Sequence, residues 1–287
     1  MSTHHDHKEL QMGLQADLDK LLHTAASRRR SLRWIFAGAA SVPLHGCGGG
    51  GGNTGDFGVT PVTTTTTAST SAACSVIPEE TGGPYPADGT NTVNGKLANA
   101  LALAGIVRKD IRWSFAGAEG VAMGVPLTIR LKLVNVAASC GTATGAAVYL
   151  WHCDRDGNYS MYSGPIQGEN YLRGVQEADA DGVVTFTTIF PGCYDGRMPH
   201  VHFEVYPTLA RATSAGNRVR TSQFTFPLAT LNTVYTASGY SASVANLARI
   251  SYATDNVFGD GTSLQMASMS GDIVNGYVAD LTVGVSL

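Results

Sequence analysis

The sequence predicts an all-β domain, an antiparallel β-sandwich with little helix, and three observations predict this class. Only 14% of the 287 residues are charged, against roughly 25% in an average soluble domain, whereas Gly, Ala, Thr and Val are plentiful. Short runs alternate between apolar and polar residues, as half-buried strands do. Asp-Gly and Pro-Gly turn sequences separate these runs.

The predicted strands follow one another along the second half of the chain. In the first strand, Leu127, Ile129 and Leu131 alternate with polar residues. A turn at 154–157 ends the second strand, and a turn at 179–182 precedes the third. The only convincing helix is predicted at residues 242–250, and neither a repeat nor a transmembrane span is predicted. The five predicted strands are residues 127–133, 146–152, 183–190, 200–206 and 222–226.

Residues 1–47 are predicted to be an export signal. An arginine-rich stretch at 27–33 precedes an apolar run at 34–44, which has the length of a signal-peptide core and is too short to span a bilayer. The order resembles a twin-arginine signal, and an ordinary secretory signal behind a long polar region is the alternative. We therefore expect the protein to be exported, to the cell envelope, the periplasm or the extracellular space.

A lipid anchor and a linker are predicted next. Residues 44–47, Leu-His-Gly-Cys, resemble a lipoprotein cleavage box, which predicts membrane attachment through a lipidated Cys47. Residues 48–73 contain runs of Gly and Thr that cannot bury enough apolar surface to fold, and they are predicted to be a flexible linker. Residues 74–287 then form the predicted catalytic domain.

Four cysteines remain after Cys47, namely Cys74, Cys140, Cys153 and Cys193. An even count in an oxidising compartment permits two disulfides, and the sequence does not choose among the three pairings. Cys74 with Cys140 is the preferred pair because it would tie the start of the domain to its core. Cys153 and Cys193 would then pair or stay free.

His200 and His202 are separated by one residue on a predicted strand, so their imidazoles share one face while Val201 and Phe203 enter the core. A His-x-His pair alone is more often a surface or packed pair. Tyr159 and Tyr194 lie at the ends of neighbouring strands, where each alone is more often a packing residue.

Together these two tyrosines and two histidines predict an iron(III) site. A phenol has a pKa near 10, so only a strongly Lewis-acidic ion keeps it as phenolate at neutral pH. Iron(III) fits this requirement, whereas zinc usually takes thiolate, imidazole and carboxylate ligands.

Five segments, in order, resemble the intradiol ring-cleavage dioxygenase family, which includes protocatechuate- and catechol-cleaving enzymes. Residues 82–85, Gly-Gly-Pro-Tyr, also resemble the family's Gly-Pro-Tyr motif, although Gly82 stands where Glu is usual. The resemblance is to the exported, single-domain branch. The five segments are residues 151–160 (WHCDRDGNYS), 172–176 (LRGVQ), 186–194 (FTTIFPGCY), 197–203 (RMPHVHF) and 222–224 (SQF).

The resemblance implies the β-sandwich core of that family and a non-haem iron(III) enzyme. A catechol-type diol would bind the iron through both oxygens and displace Tyr194, which takes up a substrate proton. O2 would then open the ring between the hydroxyls to give a muconate-type diacid. The implied metal ligands are Tyr159, Tyr194, His200 and His202.

The resemblance also implies roles for residues around the metal. Arg197 would stabilise negative charge on the activated ring, and a surface ion pair with Asp195 or Glu204 is the alternative. Gln223 would hydrogen-bond the substrate or the oxygen intermediate. The implied pocket residues are Gly83, Pro84 and Tyr85. A small aromatic diol and O2 are the expected partners, and the net charge of −3 gives no indication of a nucleic-acid surface.

Two other functions compete with the dioxygenase. An exported, non-catalytic β-sandwich binding module with a structural metal predicts that at least one ligand has been lost, yet all four are present. A metal-dependent hydrolase using His200 and His202 would need a carboxylate ligand such as Glu204, and it leaves the two tyrosines unexplained.

Overall fold

The computed structural model of the protein describes residues 74–287, so the predicted export signal, lipid anchor and linker lie outside the described residues. Within this range the chain forms eleven strands and two short α-helices. The strands are β1 (Asp88–Val93), β2 (Lys96–Asn99), β3 (Pro126–Asn135), β4 (Gly141–Thr142), β5 (Ala147–Trp151), β6 (Arg173–Glu177), β7 (Val183–Ile189), β8 (His200–Tyr206), β9 (Arg220–Thr225), β10 (Ser268–Asp272) and β11 (Gly276–Val285). The helices are α1 (Leu228–Val234) and α2 (Ser241–Leu247).

Two sheets and a hairpin make up the fold. The first sheet has the order β10-β11-β3-β4, with β7 also paired to β3. The second sheet has the order β6-β5-β8-β9, and β1 pairs with β2 in a separate hairpin. The predicted all-β class with little helix is confirmed.

One strand pairing departs from the predicted antiparallel arrangement. β11 runs parallel to β3, with Tyr277 opposite Leu127 and Val285 opposite Asn135. The other pairings within the two sheets are antiparallel. Parallel neighbours need a long connection, and strands β4 to β10 lie between β3 and β11 in the chain. The first sheet is therefore mixed at this pairing.

The main core lies between the sheets. Ile129 of β3 and Phe186 of β7 belong to the same buried cluster as Val201 and Phe203 of β8. Each of these four side chains is fully buried, and burying one such side chain stabilises the fold by about 1.5–3 kcal/mol. The alternation of β8 predicted that Val201 and Phe203 enter the core, and this is confirmed.

The opposite face of the second sheet is buried as well. Tyr149 and Trp151 of β5 form a second cluster with Ala87 and Ala98 from the β1–β2 region and with Tyr159. The hairpin region and the loops beside it cover this face, and every residue of β8 is buried. The polar side chains on this face therefore lie in a water-poor environment.

A disulfide joins Cys74 to Cys140, with a Cα–Cα distance of 5.6 Å. The preferred pairing is confirmed, and it ties the start of the described chain to the segment after β3. Cys153 and Cys193 are free and buried.

Residues 74–86, which we call the N-terminal strap, cross from the first sheet to the second. The Ile77 backbone N–H donates to the Gly284 carbonyl of β11 at 2.9 Å. Further along, the Glu80 N–H donates to the Thr221 carbonyl of β9 at 2.9 Å. At Gly83 a Cβ would lie 3.4 Å from His202 Cε1, so the strap reaches the face of the second sheet that carries the buried polar side chains.

Some of the predicted strands and helices agree with the structure, and others differ from it. β8 has the predicted bounds, and the predicted helix at 242–250 corresponds to α2, displaced toward the N-terminus. The elements not predicted from the sequence are β1, β2, β4, β10, β11 and α1. α1 is only seven residues long and starts after Pro227, so it is too short for its apolar spacing to be distinctive. No helix in residues 74–287 combines the length and apolar character needed to cross a membrane.

Candidate metal centre

The four predicted ligands come from β8 and from two loops at the same end of the sheets. Tyr159 follows β5, Tyr194 follows β7, and His200 and His202 lie on β8. Asp154 shapes the first loop, because its Oδ1 accepts the N–H groups of Asp156 at 2.9 Å and Asn158 at 2.8 Å.

Gly157 lets the two tyrosine loops approach each other. Its φ is +87°, and a Cβ placed there would lie 2.9 Å from the Cβ of Tyr194. Only glycine avoids both the left-handed strain and this collision. The turn at 154–157 was predicted to end a strand. It also brings the loops of Tyr159 and Tyr194 together.

The structure brings all four donor atoms together. His200 Nε2 lies 3.0 Å from His202 Nε2, 3.1 Å from Tyr194 Oη and 3.4 Å from Tyr159 Oη. His202 Nε2 lies 3.2 Å from Tyr159 Oη. Tyr159, His200 and His202 are buried, whereas Tyr194 is partly exposed.

This spacing fits donors that share one metal ion. Bond lengths of about 2.0–2.1 Å separate neighbouring donors by roughly 2.8–3.4 Å, depending on the angle at the ion. His200 Nδ1 contacts the Met198 carbonyl at 2.6 Å, so Nδ1 carries the ring proton and Nε2 presents a lone pair. Two phenol oxygens and two imidazole nitrogens are a donor set that suits a hard, strongly Lewis-acidic ion.

Burial sets the protonation of the four groups. Burial lowers the pKa of His200 well below its ordinary value, and the charge of Arg197 lowers it further. Burial likewise lowers the pKa of His202, so both rings are neutral and able to bind a metal. Burial raises the pKa of Tyr159 and of Tyr194. These phenols therefore ionise at neutral pH only beside a strong Lewis acid.

Aromatic contacts orient the ligand rings. Trp151 stacks on His202 with a centroid distance of 4.9 Å and an interplanar angle of 4°. Tyr85 of the strap lies against Tyr159, with centroids 4.9 Å apart. Groups that hold a ligand ring in one orientation support metal binding.

Arg197 and Gln223 lie together beside the cluster. Arg197 Nη2 donates to Gln223 Oε1 at 2.7 Å, and Gln223 Nε2 donates to the Thr81 carbonyl at 2.8 Å. The two predicted residues therefore contact each other and connect the loop before β8 and strand β9 to the strap.

The alternative ion pairs of Arg197 do not form. Asp195 pairs with Arg249 at 3.0 Å, and Glu204 pairs with Arg218 at 3.5 Å. Arg197 pairs instead with Asp255, a residue that the sequence reading missed. Asp255 lies in a segment without periodic pattern, so no local signal connects it to Arg197.

The predicted pocket residues lie in the N-terminal strap. A Cβ at Gly83 would lie 3.4 Å from His202 Cε1, and the φ of Gly83 is +68°. Tyr85 contacts the ring of Tyr159. Pro84 is exposed, and its carbonyl accepts a hydrogen bond from Asn91 Nδ2 at 2.7 Å. Gly83 and Tyr85 therefore contact metal-site side chains, whereas Pro84 anchors the strap to the hairpin.

Arg173 is a second residue that the sequence reading did not assign to the site. Its guanidinium is buried and donates to the carbonyls of Tyr85 at 3.0 Å, Pro86 at 2.9 Å and Ser160 at 2.9 Å, and to Tyr149 Oη at 3.2 Å. It therefore joins the strap to the loop of Tyr159. Its place in residues 172–176, one of the segments that resemble the dioxygenase family, was the available signal.

The geometry does not provide the carboxylate that a hydrolase would need. Glu204 accepts a hydrogen bond from Tyr206 Oη at 2.6 Å and pairs with Arg218. Within residues 74–287, no group of three or more His, Cys, Asp or Glu side chains is arranged to hold a metal. Glu204 therefore interacts with Tyr206 and Arg218 and not with the two histidines.

Comparisons with known proteins agree with the fold and the motifs. Residues 109–213 match the family model described as Dioxygenase. An intradiol ring-cleavage dioxygenase from Tetranychus urticae is 26% identical, with a TM-score of 0.56, over 74% of this chain and 95% of that chain. A second dioxygenase structure is 25% identical, with a TM-score of 0.55 and the same coverage. No curated protein matches the sequence. The resemblance to the intradiol ring-cleavage dioxygenases is therefore confirmed, in sequence over residues 109–213 and in fold over the described part of the chain.

Proposed function

We propose that the protein is a non-haem iron(III) dioxygenase that cleaves a catechol-type aromatic diol between its hydroxyls with O2, giving a muconate-type diacid. The observation that carries this proposal is the cluster of four donor atoms from Tyr159, Tyr194, His200 and His202, spaced 3.0–3.4 Å apart. The likeness to an intradiol ring-cleavage dioxygenase supports the reaction type.

These four residues would hold the ion. Iron(III) bound there would draw electron density from a bound catecholate so that a ring carbon reacts with O2. The neutral imidazoles of His200 and His202 would donate lone pairs to it, and the buried Tyr159 would contribute a phenolate oxygen.

Tyr194 is the ligand best placed to give way to a substrate. It is partly exposed, whereas the other three ligands are buried. Burial raises the pKa of Tyr194, so its phenol oxygen holds a proton once it is away from the ion. Tyr194 can therefore accept one of the two protons that a diol loses as it binds.

Arg197 supplies fixed positive charge to the pocket. Its side chain is 13% exposed, and a guanidinium in a water-poor site stabilises negative charge that builds on an activated ring. Gln223 hydrogen-bonds Arg197 and would hydrogen-bond the substrate or the oxygen intermediate. Tyr85, against Tyr159, would pack on the aromatic ring of the diol.

We also propose that the enzyme acts outside the cytoplasm, attached through Cys47. The Cys74–Cys140 disulfide supports export, because disulfides persist mainly in oxidising compartments. A diol present at the cell surface or beyond it would then be the substrate.

The visible spectrum of the full chain, loaded with iron(III), tests the proposal. We expect a tyrosinate-to-iron charge-transfer band that moves to longer wavelength when catechol is added, with equimolar O2 uptake and formation of a ring-opened diacid. A colourless protein after iron loading would reject the iron(III) site. A coloured protein that consumes no O2 with any of a panel of catechols would favour the binding module.

A matched pair of variants assigns the two tyrosines. Tyr194→Phe should keep the band from Tyr159 and lack the part of the wild-type band that disappears on adding catechol, because the displaced ligand is gone. Tyr159→Phe should lower iron affinity by more than the roughly 10- to 100-fold that loss of an outer-shell partner causes, because a buried ligand itself is lost. Equal effects of the two variants would contradict the separate roles.

A further inference from the structure

We propose that Asp255 is a positioning residue that holds Arg197 and, through it, Gln223 in the orientation used for ring cleavage. This inference rests on the proposed function of the site. Asp255 lies outside residues 109–213, the segment that matches the family model, and neither the motifs nor the metal ligands include it. Its place in the site follows from its contacts.

Asp255 has a buried carboxylate group, and both of its oxygens accept hydrogen bonds. Its side chain is fully buried, and Oδ2 accepts hydrogen bonds from Arg197 Nε at 3.0 Å and from the Met198 N–H at 2.7 Å. Oδ1 accepts the N–H groups of Val257 at 2.8 Å and Phe258 at 3.1 Å. A carboxylate fixed by two backbone N–H groups on one oxygen cannot rotate without breaking them, so the position of Oδ2 is set.

The contact fixes the plane of the guanidinium. Arg197 uses Nε for Asp255 and Nη2 for Gln223, and its Cζ lies 5.9 Å from the ring centroid of Phe258. A guanidinium is planar and has five N–H groups in a rigid fork. Two bonds from two edges therefore determine where the remaining three N–H groups point, and these have no protein partner within residues 74–287.

Asp255 begins a hydrogen-bonded chain that crosses the site. Arg197 donates to Gln223 Oε1, so the amide of Gln223 must turn its Nε2 toward the Thr81 carbonyl of the strap. Loss of Asp255 would therefore release both the guanidinium and the amide that the proposed mechanism uses. Asp255 contacts none of the four donor residues directly, and its one link to them is the Met198 backbone, whose carbonyl contacts His200 Nδ1.

Asp255→Asn separates positioning from ligation. An amide keeps the shape but removes the charge and one acceptor from the Arg197 contact. We expect kcat to fall by up to roughly 100-fold, as misplaced catalytic groups cause, with a smaller change in KM and an unchanged charge-transfer band in the iron-loaded full chain. A band that is lost or shifted would overturn the proposal, because Asp255 would then act on the metal ligands.

Asp280→Asn is the matched control. Asp280 pairs with one arginine, as Asp255 does, and accepts hydrogen bonds from Arg130 at 2.7 and 2.6 Å, but this pair lies on β3 and β11 and is about half exposed. We expect kcat of Asp280→Asn to stay within twofold of the wild type. An equal loss in both variants would contradict a specific role for Asp255.

A double variant distinguishes positioning from general support of the fold. If Asp255 acts through Arg197, then adding Asp255→Asn to Arg197→Ala causes no further loss of kcat. If Asp255 only stabilises the segment around Val257 and Phe258, the two losses multiply, and the proposal is wrong.

A measurement without turnover keeps this inference separate from the proposed function. In the metal-free full chain, the Arg197 Nε–H signal in ¹⁵N NMR should be protected from solvent exchange, and Asp255→Asn should abolish the protection while Asp280→Asn preserves it. Fast exchange in the wild type would overturn the positioning role. Absence of ring cleavage by the wild type would refute the proposed function alone, because the exchange result does not depend on it.

Discussion

Two glycines at this site matter for the backbone conformation that they allow, whereas the metal-binding residues matter for their side-chain chemistry. Gly157 allows the loop of Tyr159 to lie against Tyr194, and Gly83 allows the strap to lie against His202. Both have a positive φ, a conformation that costs other residues about 1–2 kcal/mol. The donor atoms can converge because glycine lets the backbone segments around them approach closely.

Gly157→Ala should therefore harm the metal centre as well as stability. The added Cβ would lie 2.9 Å from Tyr194 Cβ, so we expect a loss of about 2–4 kcal/mol in the free energy of unfolding, from backbone strain and overpacking together. Iron binding should weaken too, since Tyr194 must shift. Chemical denaturation and iron titration measure the two effects.

Gly117→Ala is the control for backbone strain alone. Gly117 has a φ of +96°, and a Cβ there has nothing within 4 Å. It should lose only about 1–2 kcal/mol and bind iron like the wild type. Similar iron affinities in the two variants would show that the contact with Tyr194 does not matter.

At the scale of elements, β8 joins the core to the site. Val201, Phe203 and Val205 face the space between the sheets, while His200, His202 and Glu204 face the covered side. Glu204, two residues after His202 on the same face of β8, is therefore a buried acidic side chain. Burial raises the pKa of Glu204 to about 8, partly offset by the hydrogen bond from Tyr206.

This raised pKa predicts a pH dependence of stability. Between the ordinary pKa near 4.5 and about 8, the folded chain holds a proton at Glu204 that the unfolded chain has released. Folding stability should therefore fall as pH rises through this window, by at most about 1.4 kcal/mol per pH unit from this group. Glu204→Gln should flatten the fall, as denaturation at pH 5, 6, 7 and 8 would measure. A profile equally steep in the variant would assign the dependence to other groups.

Some strands and helices could be predicted from the sequence, and others could not. β8 was predictable because alternating apolar residues and a His-x-His pair occur on one strand. α1, β1 and β2 were not, because short segments form only when tertiary contacts select them. Asp255 meets Arg197 only in the folded chain, so its role has no local signature. The four candidate ligands could be proposed from the sequence because each tyrosine follows a recognisable turn and the two histidines share one strand, and the family resemblance supplied the remaining assignments.

At the scale of the whole molecule, two sheets, the hairpin and the strap enclose the site. Arg173 joins the strap to the loop of Tyr159, and the Cys74–Cys140 disulfide fixes the start of the strap. The disulfide spans a sequence separation of 66 residues, which corresponds to about 4 kcal/mol of loop-closure entropy in the unfolded chain.

Breaking this disulfide should lower thermal stability. The double variant Cys74→Ser, Cys140→Ser should have a lower Tm than the wild type, and a reductant should lower the wild-type Tm toward the same value. The reductant should leave the double variant unchanged, since Cys153 and Cys193 are already free. A further drop in the double variant would indicate another disulfide in the chain.

The position of that disulfide also bears on mechanical load. If the chain is attached to a membrane through Cys47, any pull enters the described domain at Cys74. There the covalent bond to Cys140 passes the force into the chain just after β3, within the first sheet. Gly83 and Tyr85 lie further along the strap and would be shielded from the pull, so tension on the tether would not distort the geometry around the metal ligands.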